Sequence, residues 1–412
     1  MPKITSVRGR LLYDSRGSKT IEIDVVSDNS HLGRACAPSG ASIGKKEVVS
    51  FPDKDPTKSL EVLNANIKKF IDLDPSDLKS MHDALRTIDS TPNYSIIGGS
   101  VAFALTIATV DSAAKALGQP LFKIISEDSD WRFPLPLGNI LGGGAHAGPG
   151  TPDIQEILVC ATGAKTIVDS IETNLAVHKE LRNVLEKYEP SFTNGTGDEG
   201  AWAPKLENQK ALELSAKACE NLGFTLGNEV SLGVDFASST QWDEKKKKYV
   251  YGRSGFENTS EEQIEFVSDI IKKYKLVYAE DPLHEEAFEE MAILTSRFPN
   301  VMVAGDDLIV TNSEMLKKAI SLKSCNAAIL KVNQAGSLYD ALEFASEAQK
   351  NNVRLITSHR SGESVDPHIS HIGIATKSKM LKIGVVGGER VAKFNELIRI
   401  SEHDLIRGMA EI

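Results

Sequence analysis

A repeated unit in the second half of this 412-residue sequence constrains the fold more than any other feature. In each unit a short apolar run ends at an ionisable residue, and a helical stretch then leads to the next apolar run. The closing residues follow one another at steps of 45, 26, 25, 28 and 23 positions, and they are Asp235, Glu280, Asp306, Lys331, His359 and Lys382. Alternating strands and helices predict a parallel sheet. At least six such units predict a closed (β/α)8 barrel.

The barrel prediction changes the interpretation of Lys331, which interrupts the apolar run "NAAILKV". Taken alone, this lysine could simply end a strand and reach solvent. In a barrel, however, the C-terminal ends of all strands surround one cavity, which is where active sites form. Exposure of each side chain to solvent hardly explains why six successive strands end in an ionisable residue. We therefore predict that Lys331 is catalytic.

The N-terminal part has a different pattern. The segment "TIEIDVV" alternates apolar and acidic residues, which is typical of a half-buried strand, and its neighbours complete a three-stranded meander. Helical periodicity begins at Thr57, and "SVAFALTIATVDSAAKAL" predicts an Ala-rich helix. The chain is too long for one compact core of typical size. We predict an α+β cap domain over residues 1–125 and the barrel over residues 126–412.

Composition excludes several classes of protein. The net charge is −10 and no basic stripe is present, so nucleic acid is not an expected partner. No CxxC pair occurs, which favours a reducing compartment and gives no zinc signature; the cysteines are Cys36, Cys160, Cys219 and Cys325. The N-terminus lacks the apolar core of a signal peptide. The longest uncharged stretch is too polar to span a bilayer, so we predict a cytoplasmic protein.

Three of the strand ends carry carboxylates, namely Asp235, Glu280 and Asp306. Clustered carboxylates repel one another and are stable together only with a cation. Oxygen ligands favour Mg²⁺ or Mn²⁺ over zinc. The alternative is that each carboxylate caps or pairs locally.

The remaining strand ends are cationic or can become so: Lys331, His359 with the adjacent Arg360 and Ser361, and Lys382. Such a set suits an anionic substrate, because guanidinium binds phosphate or carboxylate with two parallel hydrogen bonds. A lysine among cations has a depressed pKa and can act as a base. With a metal opposite, this arrangement predicts abstraction of a proton α to a carboxylate, with the metal stabilising the enolate.

Three glycine-containing segments add further candidates. "LGGGAHAGPGTPDIQEI" holds His146, Gln155 and Glu156, and "NGTGDEGAWAP" holds Glu199. "APSGASIGKKE" holds Ser42 in a loop with few bulky residues. Glycine-rich loops alone are weak signals, since most are turns. Their value lies in their combination with the strand ends.

Taken in order, these motifs resemble the enolase family over nearly the whole chain. The matching motifs are "YDSRG", "PSGASIG", "HAG" with "IQE", "GDEG", "AEDP", "GDDL", "LKVNQ", "SHRSGE", and "KIG" with "ERVAKFNELIRI". The resemblance implies an N-terminal α+β cap and a C-terminal barrel of enolase type whose first units are irregular. It also implies reversible dehydration of 2-phosphoglycerate to phosphoenolpyruvate, in glycolysis and gluconeogenesis. Enolases are typically homodimers and sometimes octamers.

The resemblance also implies catalytic roles. Lys331 would remove the C2 proton of 2-phosphoglycerate, a step that the family performs with a lysine or histidine base and Mg²⁺. Glu199, assisted by Glu156, would be the acid that helps the C3 hydroxyl leave as water. His359 would join them at the cavity wall.

Metal and substrate ligands follow from the same resemblance. The first Mg²⁺ would be held by Asp235, Glu280 and Asp306. A second Mg²⁺ would arrive with the substrate and bind Ser42 after loop closure. The substrate contacts would be His146, Gln155, Glu156, Lys331, Arg360, Ser361 and Lys382, with Arg360 and Ser361 on the phosphate and Lys382 on the carboxylate.

Two isoleucines depart from the family pattern, Ile43 beside Ser42 and Ile383 beside Lys382, where Thr is usual. We expect these two isoleucines to affect catalytic efficiency and loop closure more than the class of reaction. Two alternatives remain open: another Mg²⁺-dependent enolisation or elimination of the superfamily, and a non-catalytic binding protein on the same fold. Retention of the phosphate-binding residues argues against the first alternative, and retention of Lys331 and Glu199 argues against the second.

Overall fold

The computed structural model describes residues 1–41 and 44–412, and the chain begins with a three-stranded antiparallel sheet. Its strands lie in the order β1 (Ile4–Tyr13), β2 (Lys19–Ser27), β3 (His31–Cys36). The predicted meander is therefore confirmed. Alternation along β2 buries one face completely, at Ile21, Ile23 and Val25.

Four helices follow this sheet: α1 (Pro56–Asn66), α2 (Leu78–Ile88), α3 (Gly99–Leu117) and α4 (Leu121–Ile125). The buried face of the sheet packs against α3, which contacts β2 and β3. Among the described residues, α3 is the one helix long and apolar enough to cross a membrane by length and composition, but 78% of its apolar window is buried inside the protein. It therefore has the setting of a core helix, as the Ala-rich segment predicted.

The rest of the chain alternates strands and helices. The strands are β4 (Trp131–Phe133), β5 (Leu135–Gly142), β6 (Glu156–Cys160), β7 (Ser231–Asp235), β8 (Trp242–Asp243), β9 (Lys248–Tyr251), β10 (Phe256–Asn258), β11 (Tyr278–Glu280), β12 (Met302–Gly305), β13 (Ala327–Leu330), β14 (Arg354–Ser358), β15 (Met380–Gly384) and β16 (Ile406–Met409). The helices are α5 (Gly144–Ala147), α6 (Ile167–Tyr188), α7 (Asn208–Asn221), α8 (Ser260–Tyr274), α9 (Phe288–Arg297), α10 (Ser313–Leu322), α11 (Val332–Ala335), α12 (Leu338–Lys350), α13 (His368–Ala375) and α14 (Gly388–Ile400).

Eight of these strands close into a barrel, which confirms the predicted fold class. The order around the barrel is β5, β6, β7, β11, β12, β13, β14, β15, and β15 pairs with β5 again. All neighbours are parallel except β6, which runs antiparallel to both β5 and β7. The segment between β5 and β6 contains only the four-residue helix α5 and no crossover helix of the kind that joins parallel strands. The chain therefore returns antiparallel, and the first unit is irregular.

Most of the predicted strand ends lie where the sequence pattern indicated. Asp235 and Glu280 are the last residues of β7 and β11, and Asp306, Lys331 and His359 directly follow β12, β13 and β14. The parallel orientation of these strands brings all five residues to the same end of the barrel.

The prediction that a strand ends at Lys382 is wrong. β15 continues to Gly384, and Lys382 lies in its middle, opposite Ser358 of β14 and Leu137 of β5. The apolar run resumes after the lysine, because Ile383 is fully buried. A charge within a strand was mistaken for the end of that strand.

The N-terminal segment covers the C-terminal end of the barrel. Ser39 and Gly362 form an antiparallel bridge, with hydrogen bonds of 2.8 and 2.9 Å between their backbones. The backbone N–H of Ser15 also donates to the carbonyl of Glu363 at 2.8 Å. The loop after β14 is thereby joined to the N-terminal sheet, and the cavity lies beneath this contact.

Candidate active site

One cavity at the C-terminal end of the barrel collects most of the predicted site residues. Those that line it are His146, Gln155, Glu156, Glu199, Asp235, Asp306, Lys331, His359, Arg360, Ser361 and Lys382. Glu280 reaches the same cluster through a contact with Lys382. Ser42 and Ile43 lie outside the described residues. Ile383 is buried in an apolar cluster with Phe394 and Leu397, behind the cavity wall.

The antiparallel direction of β6 explains why Glu156 belongs to the site. Glu156 is the first residue of its strand, yet it pairs in register with Asp235, the last residue of β7. Because β6 runs against its neighbours, its N-terminal end lies where the other strands have their C-terminal ends. The preceding Gln155 donates from its amide Nε2 to Asp235 Oδ2 at 3.2 Å.

A tight glycine turn places Glu199. Gly200 has a φ of +76°, and a Cβ there would lie 2.4 Å from the carbonyl oxygen of Val386. Only glycine tolerates both conditions. The backbone N–H of Asp198 donates to the carbonyl of His146 at 3.1 Å, and the Asn139 amide donates to Glu199 Oε2 at 3.1 Å. The loop therefore fixes a fully buried carboxylate in the cavity wall.

Glu156 and Glu199 have opposite protonation tendencies. Burial and the Glu199 carboxylate raise the pKa of Glu156 above its usual value. Burial would also raise the pKa of Glu199, but His359 and His146 outweigh it and hold that pKa below its usual value. Glu156 therefore binds a proton more readily than Glu199 does. A role for Glu199 as the acid then requires a proton relay from its neighbours.

His146 and His359 flank this acid pair in different charge states. Burial favours neutral His146, but the Glu199 and Glu156 carboxylates raise its pKa to about 9. Burial lowers the pKa of His359 to about 4, with Arg390 acting in the same direction. Arg390 Nη1 lies 2.8 Å from His359 Nδ1 and can only donate there. The ring proton of His359 is therefore on Nε2, which faces Glu199 Oε1 at 3.2 Å.

Two of the three carboxylates predicted to bind metal, together with Glu156, surround Lys382. Its ammonium nitrogen lies 2.9 Å from Asp235 Oδ2, 2.5 Å from Glu280 Oε2 and 3.2 Å from Glu156 Oε2. Burial lowers the pKa of Lys382, but these three carboxylates outweigh burial and keep the pKa well above its usual value. Lys382 is therefore a fixed cation within the cluster.

The donor set fits a hard divalent cation. Asp235, Glu280 and Asp306 supply only oxygens, which suits Mg²⁺. Within the described residues, Glu280 Oε1 is buried and has no hydrogen-bond partner. Burial and the Asp235 carboxylate raise the pKa of Glu280 well above its usual value. An unpartnered buried oxygen beside excess negative charge is the environment that a cation would stabilise.

A second carboxylate cluster consists of Asp281, Asp306 and Asp307, whose oxygens lie within 4.8 Å of one another. Asp281 accepts backbone N–H bonds from Asp306 at 3.0 Å and from Asp307 at 2.7 Å, so both of its oxygens already have donors. We therefore assign Asp281 to positioning Asp306. The sequence analysis missed Asp281 and Asp307, although both stand in the quoted motifs "AEDP" and "GDDL".

The expected depression of the Lys331 pKa is wrong for this structure. Burial lowers this pKa, but the adjacent Asp306 carboxylate, paired with the Lys331 ammonium, raises it above its usual value. The neighbouring cations Arg360 and Lys382 act in the expected direction but are weaker influences. The sequence indicated which residues meet but not which one Lys331 contacts.

Arg360 and Ser361 form the opposite wall of the cavity. The guanidinium of Arg360 donates from Nη1 to Glu47 Oε2 and to Asn333 Oδ1, both at 3.1 Å. The hydroxyl oxygen of Ser361 accepts the backbone N–H of Ala41 at 2.6 Å. Glu47 and Asn333 were not predicted as site residues, although they stand in the quoted segments "APSGASIGKKE" and "LKVNQ".

Comparison with known proteins gives a consistent result over the whole chain. Residues 4–125 match the family model described as "Enolase, N-terminal domain", and residues 130–408 match "Enolase, C-terminal TIM barrel domain". The chain is 43% identical over 411 residues to proteins named Enolase from Methanosphaera stadtmanae and from Methanothermobacter thermautotrophicus, covering 99% of each chain. It is 40% identical over 399 residues to Enolase from Archaeoglobus fulgidus, covering 97% of each.

Proposed function

The chain belongs to the enolase family and is a lyase with phosphopyruvate hydratase activity, and we propose that the cavity described above is its active site. The observation that carries this proposal is the position of Lys331 and of the buried pair Glu156 and Glu199 around one cavity. Dehydration of 2-phosphoglycerate requires a base for the C2 proton and an acid for the departing hydroxyl. These residues supply both. The similarity to proteins named Enolase over the full chain gives no support to a non-catalytic role or to a different elimination.

Lys331 acts as the base toward C2. Its ammonium faces the cavity at the end of β13, where its backbone N–H is held by the Thr311 hydroxyl at 2.9 Å. The Asp306 carboxylate is the main charged partner of the Lys331 ammonium. A metal held by Asp306 would weaken that contact and would favour the neutral amine that Lys331 needs to accept a proton.

Glu199 delivers a proton to the C3 hydroxyl with the help of Glu156. Glu156 has the higher pKa of the pair, and the two carboxylates share His146 as a neighbour at 3.2 and 3.8 Å. Arg390 lies against His359 Nδ1, so the proton of the neutral His359 ring is on Nε2, 3.2 Å from Glu199 Oε1. The two carboxylates of this wall thus differ in how readily they bind a proton.

Asp235, Glu280 and Asp306 would hold Mg²⁺, and Ser42 would hold a second Mg²⁺ that enters with the substrate. Bound Mg²⁺ supplies electrostatic stabilisation of the enolate. Arg360 and Ser361 bind the phosphate, Lys382 neutralises the carboxylate, and His146 and Gln155 complete the substrate contacts. The support for this assignment is the oxygen-only donor set together with the cationic wall at Arg360.

Several further assignments accompany this proposal. We place the boundary between cap and barrel after residue 125, and we assign the reaction to cytoplasmic glycolysis and gluconeogenesis. We also propose that the protein forms a homodimer or an octamer. Exposed apolar side chains on β1, Leu11 and Tyr13, support an association surface. Neither nucleic acid nor a membrane is a proposed partner.

Removal of metal tests the proposal directly. We expect the protein to form phosphoenolpyruvate from 2-phosphoglycerate in Mg²⁺, to lose this activity with excess chelator, and to regain it when Mg²⁺ is returned. The product is followed by its ultraviolet absorbance. Activity that persists in excess chelator, with no metal detected in the protein, would contradict the metal assignment. Failure to convert 2-phosphoglycerate under any metal condition would contradict the site as a whole.

A further inference from the structure

Glu47 is a buried carboxylate that the proposed reaction does not use. The Glu47 side chain is 5% exposed and lies beside the cavity, on the segment that follows residues 42 and 43. Its Oε1 accepts the backbone N–H of Gly44 at 2.9 Å. Its two oxygens face Arg360, with Nη1 at 3.1 Å from Oε2 and Nη2 at 3.3 Å from Oε1. This two-point contact fixes the plane of the guanidinium.

Gln334 extends this contact toward the metal ligands. Its amide Nε2 lies 3.3 Å from Glu47 Oε1 and 3.2 Å from Asp306 Oδ1, so one amide group donates to both carboxylates. Its carbonyl oxygen accepts the hydroxyl of Thr311 at 2.8 Å. These contacts define the orientation of the amide, because its oxygen has a donor and its nitrogen has two acceptors. Gln334 is almost completely buried.

The turn that supports Gln334 is strained. Val310 and Thr311 both have positive φ, at 47° and 49°. Branched residues seldom adopt this region, and such strain persists only where the surroundings impose it. Here the hydroxyl of Thr311 meets both the Gln334 carbonyl and the backbone N–H of Lys331. The turn thus holds Gln334 and the start of the Lys331 segment together.

We propose that Glu47 is a positioning residue for phosphate recognition, which fixes the guanidinium of Arg360 and, through the amide of Gln334, the orientation of Asp306. This inference rests on the proposed function, in which Arg360 binds phosphate and Asp306 binds Mg²⁺. The Glu47 carboxylate then positions both Arg360, the proposed phosphate ligand, and Asp306, the proposed metal ligand. The same contact links residues 44–47 to the barrel.

Displacement of Glu47 by the substrate phosphate is the competing interpretation. Two protein donors besides Arg360 hold Glu47, the Gly44 N–H and the Gln334 amide. Moving the carboxylate aside would break these bonds and would leave a buried charge unpaired, which is costly. The geometry therefore favours a carboxylate that stays in place while phosphate binds. The two interpretations predict opposite changes in substrate affinity.

The first test is Glu47→Gln, which keeps the shape of the side chain and removes its charge. We expect KM for 2-phosphoglycerate to rise roughly tenfold, as for loss of a charge-assisted hydrogen bond, with a smaller change in kcat. Glu286→Gln is the matched control. Glu286 is an exposed acid 3.7 Å from Lys45 of the same segment, and we expect its replacement to leave both constants unchanged.

The second test is Gln334→Met, which conserves volume and removes the amide. We expect a higher KM and weaker Mg²⁺ binding measured by calorimetry without substrate. In the double variant with Glu47→Gln, the effects on KM should be less than additive, because both changes break one network. Circular dichroism melts of each variant separate loss of fold from loss of positioning.

The outcomes distinguish this inference from the proposed function. An unchanged KM in Glu47→Gln, or fully additive effects in the double variant, would overturn the positioning role. A lower KM in Glu47→Gln would overturn it as well and would identify Glu47 as a competitor of phosphate. If the variants give either of these results while the wild-type protein forms phosphoenolpyruvate, the proposed function still stands. An inactive wild type would instead overturn the proposed function.

Discussion

At the scale of single residues, the partners of the two site lysines explain their different roles. Lys382 contacts the carboxylates of Asp235, Glu280 and Glu156, so it stays charged and balances a cluster of acids. Lys331 has one principal partner, Asp306, which is also a proposed metal ligand. The residue type is the same, but Lys331 has one carboxylate partner whereas Lys382 has three.

Two substitutions separate the base from the acid. Lys331→Ala removes the base, and we expect exchange of the substrate C2 proton with solvent to fall by at least about a hundredfold, the low end for loss of a general base. Glu199→Gln removes the acid, and we expect loss of the hydroxyl to fall while some exchange at C2 remains. Deuterium incorporation into 2-phosphoglycerate measures the first step, and phosphoenolpyruvate formation measures the whole reaction. Equal loss of both signals in Glu199→Gln would count against this division.

At the scale of secondary structure, strand direction and helix termini determine where side chains are placed. The reversed direction of β6 puts Glu156 at the catalytic end of the barrel. The helices hold the strands in place from outside, and α8 illustrates how they start. Thr259 accepts the backbone N–H of Glu262, while the Glu262 side chain accepts the backbone N–H of Thr259. This reciprocal cap satisfies two N–H groups that the helix leaves free.

Loss of this cap should lower stability without altering the site. We expect Thr259→Ala to reduce the free energy of unfolding by about 1 kcal/mol, the usual cost of removing an N-cap hydroxyl. Ser260→Ala, which removes a hydroxyl at the next position, is the control and should have a smaller effect. Chemical denaturation measures both variants, and KM for 2-phosphoglycerate should be unchanged. A Thr259→Ala protein as stable as its parent would show that the cap contributes nothing in this fold.

At the scale of the whole molecule, the site exists only where the N-terminal sheet meets the barrel. The bridge between Ser39 and Gly362 and the bond from Ala41 to Ser361 join segments that are more than 300 positions apart. Glu47 and Arg360 add an ion pair across the same junction. Folding of both parts is therefore required before the phosphate wall is complete.

Metal binding should stabilise the whole protein. A ligand that binds only the folded state raises stability by mass action. We expect the melting temperature of the wild type to rise by a few degrees in saturating Mg²⁺ and that of Asp306→Asn to rise less. Asp404→Asn, at an exposed aspartate, is the control and should respond like the wild type. An equal response of Asp306→Asn and the wild type would exclude Asp306 as a metal ligand.

The sequence by itself determined the barrel and the chemical types at its catalytic end. Apolar runs at regular steps predicted the strands, and the residue that closes most runs lies at a strand end. The segment "SEEQIEFVSDIIKKY" coincides with α8, and the meander has the predicted strands. These features follow from local periodicity, which neighbouring residues encode and which a sequence displays directly.

Only the tertiary structure decided which charged groups touch. Lys382 meets Asp235 across 147 positions, and Arg360 meets Glu47 across 313 positions. The pKa of Lys331 depends on one carboxylate contact, and the pKa of Glu156 lies above its usual value because of burial and a neighbouring charge. Electrostatic interactions depend on distances of a few ångströms between atoms, and periodicity along the chain carries no information about such distances.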